Sequence, residues 1–238
     1  MIYEYKKDEF RYLVNDEFVA QAEVDGWASL FDVGYLQAEG LVERTAQGRG
    51  ATYFFSWASR RFVLKHFYRG GLVRFLSKDW YLWTGAGKSR PEREFVLLGQ
   101  MAEMGLPITR PVAARIRKKG LFYQADMITE ELVGVRPLSG ILRERALTIE
   151  EWERVGALIR RFHDRNVCHT DLNAHNVMIS DEAMSLIDFD NGSIRTGEAW
   201  KMGNVERLQR SLLKLKGLHD QFYFSDEGWS ALLKGYGR

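Results

Sequence analysis

An α+β chain, strand-rich toward its N-terminus and helix-rich toward its C-terminus, is what this sequence predicts. Three observations carry that expectation. Up to about residue 130 the apolar positions fall in short runs of aromatic and β-branched residues, the composition of strands. Beyond that point they recur three and four apart, as on one face of a helix. The 238 residues are 45% hydrophobic and 13% aromatic, enough apolar surface to close a core.

Taken in order, residues 10–14 and 41–44 are short apolar runs that read as strands, with a helix-like stretch at 27–36 between them. Ala51–Trp57 and residues 61–68 then form a hairpin pattern around the polar turn 58–60. Residues 69–87 open with two glycines, Gly70 and Gly71, then set Leu72, Phe75, Trp80, Tyr81 and Trp83 among basic side chains, and predict no regular element. A helix follows Pro91, which suits a first turn; Phe95, Leu98, Met101 and Ala102 give its apolar stripe, and Gly105-Leu106-Pro107 ends it. Two strands are expected at 111–116 and 121–129, separated by Arg117-Lys118-Lys119-Gly120. Thr148 with Glu151 three residues on spells a capping box, and Trp152, Val155, Leu158, Ile159 and Phe162 are the stripe behind it. Short strands are expected at 176–179 and 185–187, and closing helices near 204–216 and 226–234. The passage between the strand-rich and helix-rich parts falls near residues 129–134, giving an N-terminal domain of residues 1–130 and a C-terminal one of residues 131–238.

Charge narrows the function. The net charge of +2 conceals an excess of 14 basic over 4 acidic side chains in residues 51–120, against 5 and 10 in residues 1–50. Such a segment suits an anionic ligand or surface. The single cysteine, Cys168, excludes an internal disulfide framework, and charged residues among the first ten break any leader-like apolar run, so a cytoplasmic setting is expected. No stretch approaches the roughly 20 apolar residues that span a bilayer. Zinc-ligand spacing and nucleic-acid motifs are both absent, so no nucleic-acid partner is expected, and no obligate protein partner is inferred.

The chemistry-bearing residues lie in His169-Thr170-Asp171-Leu172-Asn173-Ala174-His175-Asn176, followed by Ser185-Leu186-Ile187-Asp188-Phe189-Asp190. Phosphoryl transfer to a hydroxyl needs a carboxylate at the attacking oxygen, oxygen ligands for magnesium and a cation on the phosphates. Asp171 supplies the first, and Asn176 with Asp188 supplies the second. Each spacing alone is a common turn pattern; the order, with an apolar strand between the acids, makes the set specific. Gly48-Arg49-Gly50 between two strands is by itself a turn, although glycines there let backbone N–H groups approach phosphate. No Gly-Lys-Ser/Thr follows it, so it is not a Walker loop. Lys65 falls among apolar neighbours, where a charge needs a partner. Glu92 and Glu94 are the candidates, and Glu94, directly before the apolar stripe, is better placed to face inward. His169 and His175 read as loop-ordering residues, and His163 as a satisfied core histidine.

These motifs resemble the protein-kinase-like superfold, and within it the lipopolysaccharide sugar kinases of Gram-negative bacteria. Residues 169–179 and 186–192, Gly48-Arg49-Gly50 and Arg69-Gly70-Gly71-Leu72 bring the likeness closest to the kinases of 3-deoxy-D-manno-octulosonic acid (Kdo), from about Gly34 to the C-terminus. The resemblance implies a bilobal fold: an N-terminal antiparallel sheet plus one helix that binds nucleotide, and a mostly helical catalytic lobe. It implies ATP and Mg²⁺ as cofactors, with Gly48, Arg49 and Gly50 over the phosphates and Lys65, paired with Glu94, on the α- and β-phosphates. Glu130 and Leu132 fall in the hinge that reads adenine, Asp171 is the catalytic base, and Asn176 and Asp188 are the metal ligands. The implied acceptor is the 4-hydroxyl of Kdo on a lipid A precursor, at the anionic cytoplasmic face of the inner membrane, met by a peripheral protein. Arg69, Arg74 and Lys78 would then face head groups with Trp80, Tyr81 and Trp83 at the interface; the competing reading packs those aromatics under the sheet. Two departures from protein kinases stand out: Thr170 where an arginine precedes the base, and Asp190 where a glycine follows Asp-Phe. With only 50 residues after Asp188, a regulated activation segment has no room, which favours a small-molecule kinase over an atypical bacterial protein Ser/Thr kinase. A heptose kinase of the same pathway would share every catalytic residue.

Overall fold

The computed structural model describes residues 1–20, 23–47, 51–67, 80–83, 85, 87 and 89–238. It is α+β, and the chain divides into two compact units, Met1–Gln100 with Thr109–Glu131, and Met101–Ile108 with Leu132–Arg238. Residues 48–50, expected to form the glycine turn, and the whole of the basic stretch 69–79 lie outside the described residues.

The first unit is built on an antiparallel sheet of β1 (Ile2–Lys7), β2 (Phe10–Asn15), β3 (Val42–Gln47), β4 (Ala51–Trp57), β5 (Arg60–His66), β6 (Tyr81–Leu82), β7 (Pro111–Lys119) and β8 (Phe122–Glu130). Its order is β1-β2-β7-β8-β5-β4-β3, with β6 pairing β8. Strand β1 was not expected: Tyr3, Glu4, Tyr5, Lys6 and Lys7 form no apolar run, and their pairing with residues 10–15 of β2 supplies the order. The stretch 27–36, expected as one helix, is two: α1 (Val24–Ser29) and α2 (Val33–Ala38). Asp32 divides them because its carboxylate accepts from the Tyr35 amide, a cap that starts a new helix. The unit therefore carries these two short helices besides α3 (Arg90–Glu103), rather than one helix alone. Trp27 from α1 meets Trp57 and Phe62 edge-on, with ring centroids 4.9 and 5.3 Å away, and Phe55, Leu64, Val112 and Ile128 complete that core. Each such large side chain taken out of water stabilises the unit by about 1.5–3 kcal/mol. Tyr81 stacks on Tyr123 of β8 and Trp83 meets the same ring edge-on, so these two aromatics pack on the sheet.

The second unit holds β9 (Arg136–Pro137), α4 (Leu138–Ile141), α5 (Ile149–Asp164), β10 (Val167–Cys168), β11 (Val177–Ile179), β12 (Met184–Leu186), β13 (Ser193–Ile194), α6 (Ala199–Leu218) and α7 (Asp226–Tyr236). Thr148 and Glu151 form the reciprocal capping box of α5. Arg145 holds the Glu151 carboxyl down to about 2, assisted by the Thr148 backbone. The buried face of α5 includes Trp152, Val155, Leu158, Ile159 and Phe162. Helices α5 and α7 approach unusually closely because of glycine: a Cβ on Gly156 would collide with the Leu232 carbonyl, and one on Gly235 with the Glu153 carbonyl. Gly156→Ala is expected to destabilise the chain by roughly 1–3 kcal/mol, since the obstacle is backbone. Denaturant unfolding would read this directly, and an unchanged midpoint would show that the helices can separate at no cost.

Candidate active site

In the first unit, Lys65 on β5 faces Thr52 of β4 and Met127 of β8 across the sheet. Its ammonium stands 3.9 Å from a Glu94 carboxylate oxygen and 5.2 Å from the Phe67 ring centroid. Glu94 is buried on α3. Glu92, the other candidate, is buried too, but its carboxylate serves the helix start: it accepts from the amides of Gly87 and Ser89 and the Ser89 hydroxyl, and pairs with Arg11. Two buried acids on one turn thus have separate duties. At the end of β8, Glu130 pairs with Arg60 at 2.7 Å, and its amide donates to the Arg110 carbonyl. The next amide, of Glu131, donates to the Arg61 carbonyl. Leu132 is half-buried, and its amide has no partner among the described residues.

In the second unit, the loop after β10 is fixed by one histidine. His169 is buried, and its Nε2 lies 2.9 Å from the Ile187 carbonyl while Nδ1 lies 3.2 Å from the Asp171 amide. A carbonyl can only accept and an amide can only donate, so the ring is the neutral tautomer with its proton on Nε2. Burial pushes its pKa down in the same sense, against a smaller opposing pull from that hydrogen bond. The ring also packs on Phe189, centroids 4.6 Å apart, and Phe189 stacks on Phe162 of α5.

From this anchor the functional groups are set in place. The Asp171 carbonyl accepts from the side-chain amides of both Asn173 and Asn176, at 2.9 and 3.0 Å. With its Nδ2 so engaged, Asn176 keeps Oδ1 as its remaining acceptor end. The Ile187 amide donates to the Asn176 carbonyl at 3.0 Å, which seats Asp188 beside Asn176 on neighbouring backbone. Asp188 adopts φ 63°, a left-handed conformation that costs a side-chain-bearing residue of order 1–3 kcal/mol and that the frame around it enforces. Asn176 amide and Asp188 carboxylate oxygens are hard donors of the type magnesium prefers, so the donor set fits that ion. Thr170 donates to the Asp190 carbonyl, tying the two segments once more. His175 lies 2.8 Å from the Ser139 hydroxyl on α4, an ordering contact within the loop.

Helix α6 braces the loop from outside. Asn204 donates to the His169 carbonyl at 2.6 Å and accepts from His163, whose other nitrogen meets the Tyr236 hydroxyl; His163 is a satisfied core residue. Ser211 accepts from the Ala174 amide. Between them Arg207 places a guanidinium nitrogen 2.6 Å from an Asp171 carboxylate oxygen. The sequence reading missed Arg207, because one arginine in a helix of mixed charge carries no local signal.

Burial lowers the pKa of both His163 and His169 from the ordinary 6.5. The unfolded chain therefore takes up protons near pH 6.5 that the folded chain refuses, and the stability these rings contribute is present above that value and lost as pH falls below it. Unfolding free energy measured from about pH 7.5 down to about 5.5 is expected to decline; a flat or rising profile would contradict neutral, buried imidazoles.

Residues 34–236 match the model of the lipopolysaccharide kinase (Kdo/WaaP) family. Among curated relatives, the 3-deoxy-D-manno-octulosonic acid kinase of Photobacterium profundum is 41% identical over 207 residues, covering 87% of each chain. The same-named protein of Haemophilus influenzae strain PittGG is 35% identical over 246 residues and 99% of each chain, and that of Vibrio cholerae is 41% identical over 181 residues, covering 76% of this chain and 77% of its own. The chain belongs to the lipopolysaccharide kinase (Kdo/WaaP) family.

Proposed function

We propose that this chain transfers the γ-phosphoryl group of ATP to the 4-hydroxyl of a Kdo residue on a lipid A precursor during lipopolysaccharide core assembly. The observation that carries the reading is the single hydrogen-bonded frame holding Asp171, Asn176 and Asp188, in a chain whose relatives are named kinases of that sugar acid.

Asp171 acts on the acceptor. Its carboxylate orients the sugar hydroxyl and takes the proton as that oxygen bonds to the γ-phosphorus, while the bond to the β-phosphate oxygen breaks and ADP leaves. Asn176 and Asp188 would hold Mg²⁺, which supplies charge neutralisation on the β- and γ-phosphates when bound. Lys65, kept in place by Glu94, supplies a cation for the α- and β-phosphates. Gly48, Arg49 and Gly50 cover the phosphates, and backbone groups of residues 130–132 read adenine; the Leu132 amide, without a partner among the described residues, supports that assignment. In this scheme residues 1–130 form the nucleotide-binding lobe and residues 131–238 the catalytic lobe. The acceptor is lipid-borne, so the reaction is assigned to the cytoplasmic face of the inner membrane, with the protein at its surface. Among the described residues no helix is long and apolar enough to cross a membrane. The excess of basic side chains over residues 51–120 suits attraction to anionic head groups.

Labelled ATP, with magnesium, should transfer phosphate to a Kdo-bearing lipid A precursor and not to a heptose-bearing core offered in parallel. Transfer to the heptose acceptor alone would overturn the acceptor assignment. Asp171→Ala should lower kcat by about 10²–10⁴-fold while leaving nucleotide affinity within a few-fold, because the base touches the hydroxyl and not ATP. Asp188→Ala should instead weaken magnesium-nucleotide binding itself, and an equal loss of affinity in both variants would refute this division of roles.

A further inference from the structure

Beside Asp171, in the second unit, lies a cavity of about 280 Å³ walled by Cys168, Thr170, Trp200, Arg195, Arg207 and Arg210. Three guanidinium groups on one small cavity are an uncommon concentration of charge. Their present partners are modest. Arg207 holds the Asp171 carboxylate, with both side chains nearly half exposed, at 48% and 44%. Arg210 reaches Glu206 only at 3.9 Å, also in the open. Arg195 is exposed, bonds the Ser193 hydroxyl, and has no carboxylate partner among the described residues. Trp200 adds a buried indole N–H with no acceptor among the described residues. Exposed ion pairs of this kind are weak and readily exchanged for a better anion.

Phosphate transfer at Asp171 does not need this cluster, since in the reading above the nucleotide's charge is met by Lys65 and by the Mg²⁺ that Asn176 and Asp188 would hold. The acceptor does have a use for it. A sugar acid carries a carboxylate a few bonds from each of its hydroxyls, and arginine recognises carboxylates and phosphates in bidentate fashion. We propose that Arg195, Arg207 and Arg210 form the acceptor's anion subsite, which binds a carboxylate or phosphate group of the acceptor and so presents its hydroxyl to Asp171. This rests on the kinase reading given above. In this subsite Arg207 has two states. Without acceptor it occupies the Asp171 carboxylate; with the acceptor's anion in the cavity it turns to that anion and releases Asp171 to take the hydroxyl. Binding and activation of the base are thereby linked, which discourages transfer to water.

The test uses the full chain and an Arg195→Gln/Arg210→Gln double variant, both exposed changes that leave the Asp171 contact in place. On a Kdo-bearing lipid A precursor the double variant should lose about 10- to 100-fold in kcat/KM, mostly through acceptor KM, with ATP affinity unchanged. The native chain should lose a similar factor on an acceptor whose carboxylate is amidated, and the double variant should lose nothing further on it. If instead the native loss appears only with the lipid phosphates removed, the bound anion is a phosphate. Equal sensitivity of native and variant chains to every acceptor change, or a variant with native acceptor KM, overturns the subsite. If the native chain phosphorylates none of these acceptors, the kinase reading falls on its own. The subsite is then judged by titrating free Kdo against the Trp200 indole N–H resonance: a shift lost in the double variant supports it, and no shift in the native chain rejects it.

Discussion

The imidazole of His169 lies almost wholly out of water and commits both ring nitrogens to backbone, one to the Ile187 carbonyl and one to the Asp171 amide. Those two residues sit 16 positions apart, and the ring joins the segment around Asp188 to the one that begins at Asp171. The arrangement works only while the ring is neutral with its proton on Nε2, and burial secures that state. Around it the other bonds fall into a chain: Asn176 to the Asp171 carbonyl, Ile187 to the Asn176 carbonyl, and Thr170 to the Asp190 carbonyl.

The support comes from helix α6 as much as from the loop. Asn204, Arg207 and Ser211 recur at helical spacing, so one face of α6 touches the His169 carbonyl, the Asp171 carboxylate and the Ala174 amide in succession. Asn204 also ties this face to His163 of α5, which in turn bonds Tyr236 of α7. The glycine contacts that bring α5 and α7 together therefore lie two steps from Asp171, and the left-handed Asp188 is strained backbone that such a scaffold can sustain.

Much of this was legible in the sequence, for physical reasons that differ by element. The hairpin of β4 and β5 and the capping box of α5 depend on neighbours in sequence, so local pattern sufficed. The strand β1 depends on pairing with β2, and its mixed charged and aromatic residues gave no pattern of their own. The break between α1 and α2 rests on one capping carboxylate, which the apolar spacing across residues 27–36 concealed. Motif order singled out Asp171, Asn176 and Asp188 as candidates because phosphate chemistry restricts the residue types that can serve, and the fold joins their segments in one hydrogen-bonded frame. Arg207 stayed hidden since its meaning comes only from an ion pair 36 residues away in sequence. Its place directly before the apolar stripe favoured Glu94 over Glu92 as the partner of Lys65, but the duty of Glu92, the pairing with Arg11, shows only in three dimensions.

His169 is the link on which both candidate segments depend. The most direct measurement is phosphate transfer and magnesium-nucleotide affinity in His169→Phe, which keeps a ring against Phe189 and removes both backbone bonds. The expected result is a folded protein whose kcat falls by about 10²-fold or more and whose magnesium-nucleotide affinity also weakens, because Asp171 and Asp188 lose their common anchor. A folded His169→Phe chain with kcat and affinity near those of the native protein would contradict it.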